Sequence, residues 1–398
     1  MKTRVMVFVL LAALMAGIVP VAAQDGPVIT IWADDTRADP LREIGAQFEE
    51  ENGIAIEVLE LPFDEIREQF TTAAPNGEGA DIIVGANDWL GELTVNGLLE
   101  PVDLSDGAES FLPAALDAFS IDGTLYGVPY AVENVAFFRN PELVPDAPAT
   151  WDEVRAISEE LVSSGDVQFG YIIQENDPYH FYGIQSAFGG YIFGINDDGS
   201  YDVNDIGVGS TGSIEALTWL EAHAQAELMP AGLEYDSMHS LFESGDAAMM
   251  ITGPWALERI QESGVSYEIS AIPGTAEGEN GAPFIGVQGF MVSSFSENTA
   301  LASLFLTNYV ATDEVMGAIF AAGSRPAAYL SVRDGVEDVD LLAFGEAGAN
   351  GQPIPSIPQM GSVWTPWGNA IELVVQGQAE AATAFEDAAA QIETAVME

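Results

Sequence analysis

The chain has 398 residues, more than a single hydrophobic core usually supports, so about two domains are expected. Hydrophobic residues make up 48% of the sequence and aromatic residues 10%, which excludes a disordered or collagen-like chain. The formal net charge of −53 predicts a surface that repels nucleic acid and anionic lipid. A nucleic-acid partner is therefore not expected. A strongly anionic ligand is disfavoured, although Arg37, Arg139 and Arg325 could still serve one.

The first residues have the three parts of an export signal. Lys2 and Arg4 precede an apolar run at 5–19, and small residues follow as far as Ala23. The run is shorter than the roughly 20 residues that span a bilayer, so it favours a signal peptide over residues 1–23 rather than a membrane anchor. The chain has no cysteine, which excludes disulfides and the lipid-modified cysteine of a lipoprotein. The sequence thus predicts an exported protein, periplasmic or extracellular.

The first elements after this segment are predicted to form a β-α-β unit. Residues 28–32 have the composition of a buried strand, and an acidic loop follows them. Asp39 and Pro40 predict the start of a helix that Gly53 can end, and alternating apolar residues at 54–58 predict the next strand. Two strands joined by a helix imply a parallel sheet.

An apolar run at residues 82–84 ends abruptly in polar and aromatic residues. In an open α/β sheet, ligands bind outside the carboxyl ends of the strands, where Asp88 and Trp89 would lie. A carboxylate accepts hydrogen bonds from sugar hydroxyls, and an indole offers an apolar face to the C–H patches of a sugar ring. The pair therefore predicts sugar binding, although Asp88 could instead cap the following turn and Trp89 could be buried packing.

Later elements are predicted from capping and periodicity. Thr150 and Glu153 have the spacing of a capping box, which predicts a helix start. Residues 189–201 are rich in Gly, Asn and Asp, which predicts turns that join short strands. The chain then predicts, in order, an apolar run that ends in Gly253-Pro254-Trp255, a polar loop at 272–283, a strand at 284–292 and helices at 297–309 and 379–395.

Eight segments stand in a family-like order along the chain. They are residues 28–32 with the acidic loop, ADIIVGANDWLG from Ala80, PYAVENVAFFRNPEL from Pro129, TWDEV from Thr150, EYDSMHSLFESGDAAMMITGPWA from Glu234, PFIGVQGF from Pro283, NYVATDE from Asn308 and IPQMGSVW from Ile357. Together they resemble the maltose-binding protein family of periplasmic sugar receptors, which feed ABC importers. The resemblance covers nearly the whole mature chain, and eight segments in order are far more specific than any one of them.

The resemblance implies a two-lobed α/β fold, the type II periplasmic-binding-protein fold. Each lobe is expected to be a mostly parallel sheet flanked by helices, and hinge crossings are expected to join the two. The N-terminal lobe is expected at 27–131 and 289–327, and the C-terminal lobe at 134–285 and 331–398. The implied partners are an oligosaccharide and the membrane subunits of an ABC importer, for a monomer without a cofactor or a bound metal.

The family's ligand residues can be assigned where this sequence matches them. The resemblance implies sugar contacts for Asp34, Asp35, Arg37, Asp88, Glu133, Asp177, Tyr179, Tyr235, Trp255 and Trp364. Trp89 stands where the maltose receptor has an arginine and is a candidate from its chemistry alone. Gly85 replaces a family tryptophan, Gly368 replaces an arginine, Thr365 replaces a tyrosine and His180 falls at an aromatic position. These departures favour a sugar that differs from maltose in length or linkage.

Two other functions are open from the residues themselves. A secreted glycoside hydrolase would use two carboxylates that flank a sugar, such as Asp88 with Glu133 or Asp177. A receptor of the same fold could instead bind a cation such as a polyamine or ferric ion, which the acidic composition would favour. The order of the motifs favours a receptor for a neutral carbohydrate that is not an enzyme.

Overall fold

The computed structural model describes residues 26–323 and 325–397, and the predicted signal peptide at 1–23 lies outside them. The strands, in chain order, are β1 Val28–Ala33, β2 Ala55–Glu60, β3 Ile82–Ala86, β4 Leu99–Glu100, β5 Ser120–Ile121, β6 Thr124–Leu125, β7 Gly127–Glu133, β8 Ala136–Arg139, β9 Phe169–Ile172, β10 Phe193–Ile195, β11 Tyr201–Ile206, β12 Ala247–Thr252, β13 Glu268–Ser270, β14 Phe284–Ser293 and β15 Gln352–Pro353.

The helices alternate with these strands. In chain order they are α1 Asp35–Asn52, α2 Phe63–Ala73, α3 Leu90–Val95, α4 Pro113–Ala118, α5 Trp151–Ser164, α6 Pro178–Ala187, α7 Thr211–Gln225, α8 Tyr235–Glu243, α9 Leu257–Ser263, α10 Thr299–Phe305, α11 Asp313–Gly323, α12 Leu330–Arg333, α13 Val339–Ala347, α14 Trp364–Val375 and α15 Ala381–Met397. Within this part of the chain, no helix combines the length and the apolar character needed to cross a membrane.

The first sheet is covered on both of its faces. Its strand order is β15-β14-β3-β1-β2, and β4 and β7 also pair with β14. Because side chains alternate along a strand, Ile82 and Val84 of β3 enter one core with Leu41 of α1. Ile83 enters the opposite core with Phe70 of α2. Burial on both faces explains why β3 reads as a continuous apolar run.

The second sheet has the order β13-β8-β12-β9 and a core of its own. The chain enters it directly from the first sheet, because β7 ends at Glu133 and β8 begins at Ala136. Strand β14 also touches both cores, since Phe284 at its start packs with the second sheet and Phe290 packs with the first. The short hairpin of β10 and β11 begins in the segment 189–201 that was predicted to hold turns and short strands, and β11 extends beyond it to Ile206.

The expectation of mostly parallel sheets is wrong. Pairing is parallel between β1 and its two neighbours, β2 and β3, between β14 and β15, and between β9 and β12. Strand β14, however, is antiparallel to both β3 and β7, and β8 is antiparallel to both β12 and β13. The β-α-β rule applies only to consecutive strands, and β14 returns to the first sheet after about 150 residues spent elsewhere. Both sheets are therefore mixed.

Helix α1 begins earlier than the sequence predicts. It starts at Asp35 rather than at Asp39, which places Pro40 inside the helix. The residue before the helix, Asp34, makes no capping hydrogen bond and instead pairs with Arg37 one turn later, which closes the first turn. Pro40 lacks the backbone donor that an interior helix position normally supplies. The predicted end is confirmed, because Gly53 adopts a left-handed φ of 69°.

Helix α5 begins at the predicted capping box. Thr150 Oγ1 accepts a hydrogen bond from the Glu153 backbone at 3.2 Å, and Glu153 Oε2 accepts one from the Ala149 backbone at 2.7 Å. Replacing Thr150 with alanine should lower the free energy of unfolding by about 1 kcal/mol, because one amide of the first turn loses its acceptor. Urea denaturation checks this, with Thr150→Ser as the variant expected to keep most of the stability. Equal stability of the alanine variant would contradict the capping role.

Candidate functional site

Two of the predicted carboxylates emerge at the same edge of the first sheet. Strands β1 and β3 are parallel neighbours; Asp34 follows the end of β1, and Asp88 lies in the turn after β3. Ligands of open α/β sheets bind at this edge. Asp34 is 5% exposed and Asp88 is 6% exposed, so both lie beneath the surface.

Asp34 is paired with an arginine of helix α1. Arg37 forms an ion pair with Asp34, and its Nε donates a hydrogen bond to the hydroxyl of Tyr130 on β7. The Arg37 guanidinium also lies 5.1 Å from the centre of the Phe63 ring, within range of a cation–π contact. The negative charge of Asp34 is therefore balanced within the first sheet.

A second buried ion pair joins Glu133, at the end of β7, to Arg325. Arg325 Nη1 lies 2.9 Å from Glu133 Oε2, and Arg325 Nη2 donates to Thr36 Oγ1 at 2.7 Å. Thr36 Oγ1 in turn donates to Asp34 Oδ1 at 2.8 Å, so the two ion pairs form one network. Burial would lower the pKa of Arg325, but Glu133 and other acidic neighbours keep that pKa raised, so the guanidinium stays charged.

The same arginine contacts an aromatic cluster of the second sheet. The Arg325 guanidinium lies 5.9 Å from the centre of the Trp255 ring, which follows the Gly253-Pro254 turn after β12. The Trp255 ring lies 6.0 Å from Tyr179 and 5.8 Å from His180 between ring centres. Trp255 and Tyr179 are both half-buried, so each keeps part of a ring surface that a sugar could cover.

Asp88 contacts Trp364 of helix α14. Trp364 Nε1 donates a hydrogen bond to Asp88 Oδ2 at 3.0 Å, and the Trp364 ring packs nearly parallel to Trp367, with centres 5.9 Å apart. Burial raises the pKa of Asp88, and the nearby Arg67 and the Trp364 hydrogen bond offset part of that rise. The contact joins the strand-end edge of the first sheet to a helix of the second core.

Asp177 lies immediately before helix α6 and caps it. Its Oδ1 accepts from the His180 backbone at 3.1 Å, and its Oδ2 lies 2.6 Å from His180 Nδ1. Gln174 Nε2 donates to the same Oδ2. Burial would raise the pKa of Asp177, but His180 and the backbone donors outweigh burial and lower that pKa. Asp177 is thus ionised, and hydrogen bonds within the protein use most of its acceptor positions.

Tyr235 and Asp35 lie at the outer part of this group. Tyr235 begins helix α8, and its ring lies 5.7 Å from the Arg259 guanidinium. Burial raises the pKa of Tyr235 to about 12, and the charge of Asp35 contributes to the rise. Asp35 itself is exposed and accepts a hydrogen bond from the Thr36 backbone at 2.9 Å.

Trp89 has a different position from the other predicted ligand residues. It is 5% exposed and lies in the core of the first sheet, with its ring centre 5.0 Å from that of Phe63. A Cβ atom on Gly85 would come within 2.0 Å of the Trp89 ring, so the absence of a side chain at Gly85 makes room for the indole. Gly85 and Trp89, the two departures from the family pattern in this segment, therefore pack against each other, and Trp89 lies beneath the site.

Comparisons with known proteins identify the family of the chain. A sequence model of the bacterial extracellular solute-binding protein family matches residues 43–343. The chain belongs to this family. The galactooligosaccharide-binding protein of Bacillus subtilis is 30% identical over 92% of this chain and 89% of its own length. The maltodextrin-binding protein MdxE of Bacillus subtilis is 27% identical over 95% and 92%, and the maltotriose-binding protein of Pyrococcus abyssi is 26% identical over 77% and 68%.

Arg325 is the central residue of the network in this solute-binding protein, and the sequence reasoning did not place it there. The low number of basic residues is the signal that could have indicated Arg325, because only 10 residues of the chain are lysine or arginine. The three arginines considered for an anionic ligand are each paired with a carboxylate, Arg37 with Asp34, Arg139 with Glu268 and Arg325 with Glu133. Their charges are thus balanced by carboxylates of the protein itself.

The space beside Gly368, where the maltose receptor has an arginine, is also filled by a residue of this chain. A Cβ atom on Gly368 would come within 2.2 Å of the Asn176 side-chain oxygen. Asn176 has a left-handed φ of 54° and directly precedes Asp177. Where the maltose receptor has an arginine, this solute-binding protein therefore has an asparagine side chain packed against a bare backbone.

The fit of Gly85 against Trp89 predicts a large effect for a single methyl group. Gly85→Ala should lower the free energy of unfolding by about 1–3 kcal/mol, because overpacking displaces a buried indole. Gly317→Ala is the matched control, since Gly317 is in helix α11 with open space around it, and alanine there should raise stability by about 0.5–1 kcal/mol. Urea denaturation compares the two, and equal stability of Gly85→Ala and the wild type would contradict the packing.

Proposed function

We propose that this solute-binding protein binds a neutral oligosaccharide between its two sheets and delivers it to an ABC importer. The observation that carries the proposal is the convergence of half-buried aromatic rings, Tyr179, Trp255 and Trp364, with the carboxylates Asp88 and Glu133. Rings pack against the apolar faces of sugars, and carboxylates accept from hydroxyls. The named specificities of the relatives, for galactooligosaccharide, maltodextrin and maltotriose, support the same ligand class.

The charge balance of the site supports a neutral ligand over a cation. A polyamine or ferric site would need free carboxylates, yet Asp34 and Glu133 are paired with arginines. Burial raises the pKa of Asp88, which opposes its ionisation, and Asp177 already has three protein donors. Asp35 and Tyr235 would contribute at the rim, and Trp89 would support the site by holding Phe63 beneath Arg37.

The proposed fold is two lobes that close by hinge motion. The N-terminal lobe would comprise residues 27–131 and 289–327, and the C-terminal lobe 134–285 and 331–398. The direct passage from β7 to β8 and the contact of β14 with both cores support crossings at these points. Closure around a sugar requires that the sugar bind the closed form more tightly than the open form. Small-angle X-ray scattering should then show a smaller radius of gyration when the ligand is added.

The proposed setting is an exported monomer that binds and releases its ligand unchanged. The family is extracellular, and relatives in Streptococcus pneumoniae are named as solute-binding lipoproteins of maltooligosaccharide ABC transporters. The absence of cysteine from this chain supports release after Ala23 instead of a lipid anchor. A glycoside hydrolase would need Asp88 together with a second free carboxylate, and Glu133 and Asp177 are both engaged.

A thermal-shift screen tests the proposed function. A ligand that binds only the folded protein raises the melting temperature with the logarithm of its excess over the dissociation constant. Maltotriose, galactotriose, trehalose and spermidine form the panel, and an upward shift is expected with an oligosaccharide and not with spermidine. Chromatography after long incubation should recover the oligosaccharide intact. A shift with spermidine alone would favour the cation receptor, and steady release of shorter sugars would show an enzyme.

A further inference from the structure

We infer that His180 Nε2 is a hydrogen-bond acceptor for a sugar hydroxyl and that Asp177 acts through His180, as a positioning residue, and does not bind the sugar itself. The inference rests on the proposed function and deepens it. It assigns a polar, specificity-determining contact to a histidine that the family resemblance places at an aromatic position. It also reassigns Asp177, which the resemblance implies is a direct ligand residue.

Most acceptor positions of the Asp177 carboxylate are already used within the protein. A carboxylate offers about four acceptor positions. Asp177 Oδ1 accepts from the His180 backbone at 3.1 Å, and Oδ2 accepts from Gln174 Nε2 and from His180 Nδ1, the latter at 2.6 Å. The backbone contact caps helix α6, so the carboxylate is fixed in place by the start of the helix. Little of its acceptor capacity remains for a ligand.

The Asp177 carboxylate determines which nitrogen of the His180 ring carries the proton. An ionised carboxylate can only accept, so the ring nitrogen that faces it, Nδ1, must carry the proton. In the neutral imidazole, Nε2 then presents a lone pair. His180 is 4% exposed, and Nε2 has no hydrogen-bond partner among the described residues. A buried polar atom without a partner is unfavourable, so a hydroxyl that donates to it would be bound preferentially.

The His180 ring lies beside two aromatic side chains. His180 meets Trp255 nearly edge to face, with ring centres 5.8 Å apart and planes at 87°, and it meets Tyr179 at 5.7 Å and 81°. Both neighbours are proposed to pack against sugar faces. A sugar ring that covered Trp255 would carry its hydroxyls around its rim, on the side where the imidazole lies. His180 thus adds a directional acceptor between two apolar surfaces.

The consequence is selectivity. An aromatic side chain at this position packs against C–H groups and accepts no strong hydrogen bond, whereas an imidazole nitrogen does accept one. A site built to bond a hydroxyl discriminates against an analogue that lacks it far more than an apolar pocket does. This solute-binding protein should therefore require a hydroxyl at the ligand position next to Trp255.

The tautomer can be tested without any ligand. The chain has three histidines, so nitrogen NMR of the imidazole rings is assignable with one variant for each. In His180 and His239, Nδ1 should carry the proton, since it faces the Asp177 carboxylate in one and the Tyr235 carbonyl in the other. In His223 the proton should be on Nε2, which faces the Tyr171 carbonyl. A His180 ring that carries a proton on Nε2, either alone or together with one on Nδ1, would overturn the inference, because that nitrogen would then have no lone pair.

The positioning role of Asp177 predicts a switch in that spectrum. Asp177→Asn keeps an oxygen for the helix cap but can donate to Nδ1, which should move the ring proton to Nε2. Asp177→Ser keeps a hydroxyl that can cap the helix but is too short to reach the ring. It therefore shows the effect of losing the contact to the ring while the cap is kept. A merely structural role would leave the His180 tautomer the same in Asp177→Asn, and that result would overturn the role assigned to Asp177.

The sugar contact is tested by calorimetry with maltotriose and galactotriose. His180→Phe, which keeps a ring but has no acceptor, should weaken binding by about 3- to 10-fold, and His180→Gln, which restores an acceptor oxygen, should recover part of it. The His180 Nε2 resonance should shift when sugar is added to the wild type. If the wild type binds sugar and His180→Phe binds it equally well, the inference fails and the proposed function stands. If the wild type binds neither sugar, both fail.

Discussion

Replacing Arg325 with methionine should lower the free energy of unfolding by about 3–5 kcal/mol, because it leaves the carboxylate of Glu133 buried without its partner. Arg325 and Glu133 are 7% and 2% exposed, so water cannot replace the lost hydrogen bonds at 2.9 and 3.2 Å. Thr36 also loses the donor that links it to the arginine. Urea denaturation followed by both tryptophan fluorescence and circular dichroism measures the change.

The double variant separates the ion pair from the volume of its side chains. Glu133→Met alone should be destabilised to a similar degree, since it leaves the Arg325 guanidinium buried and unpaired. The variant with both methionines should be more stable than either single variant, because no buried charge remains. Strictly additive losses in the double variant would show that the two side chains do not act as a pair.

Replacing Trp255 or Trp364 with alanine should weaken oligosaccharide binding by about 1–3 kcal/mol, the free energy of covering a large apolar side chain. Both rings are half-buried and keep surface that a sugar could cover. For Trp364 the loss has a second source, because its Nε1 holds Asp88 Oδ2 at 3.0 Å. Calorimetry with the oligosaccharide found in the thermal-shift screen measures each change.

A matched tryptophan distinguishes ligand contact from general damage. Trp219 is 6% exposed and packs against Trp151, with ring centres 4.8 Å apart, and against Arg155. Trp219→Phe should lower stability and leave the dissociation constant unchanged. Unchanged affinity in both Trp255→Ala and Trp364→Ala would place the sugar elsewhere in the molecule.

Much of the fold follows from local patterns in the sequence. The buried strand β3, the capping box at Thr150 and the left-handed glycine after α1 are all as predicted, because periodicity, capping and turn chemistry act within a few residues. The late helices are confirmed as α10, which continues as a π-helical turn at Leu306–Val310, and α15. These features need no information from distant parts of the chain.

The features that sequence reasoning missed all depend on distant partners. In the first turn of α1, which begins earlier than predicted, Arg37 bonds Tyr130, which lies 93 residues away. The first sheet is mixed because β14 returns antiparallel between β3 and β7, and the second is mixed because β8 is antiparallel to β12 and β13. No local pattern could show that Arg325 would meet Glu133 across 192 positions.

The site itself was predicted in its residue types more than in its arrangement. Asp88, Trp364, Trp255 and Tyr179 were named from the resemblance. In the structure Asp88 bonds Trp364, and Trp255 contacts Tyr179 and Arg325. The internal pairing of Asp34, Glu133 and Asp177 could not be read from the sequence, because a carboxylate shows its partner only in three dimensions. That pairing is the reason we propose a neutral ligand for a strongly acidic chain.

Calorimetric titration of the mature chain with maltotriose, galactotriose and spermidine tests the central claim most directly. A neutral oligosaccharide should bind with saturable heat and one site per chain, and its affinity should change little between low and high salt, because no net charge is neutralised on binding. Spermidine should give no saturable heat. Saturable binding of spermidine that weakens steeply with salt, together with no heat from either sugar, would contradict a receptor for neutral oligosaccharides.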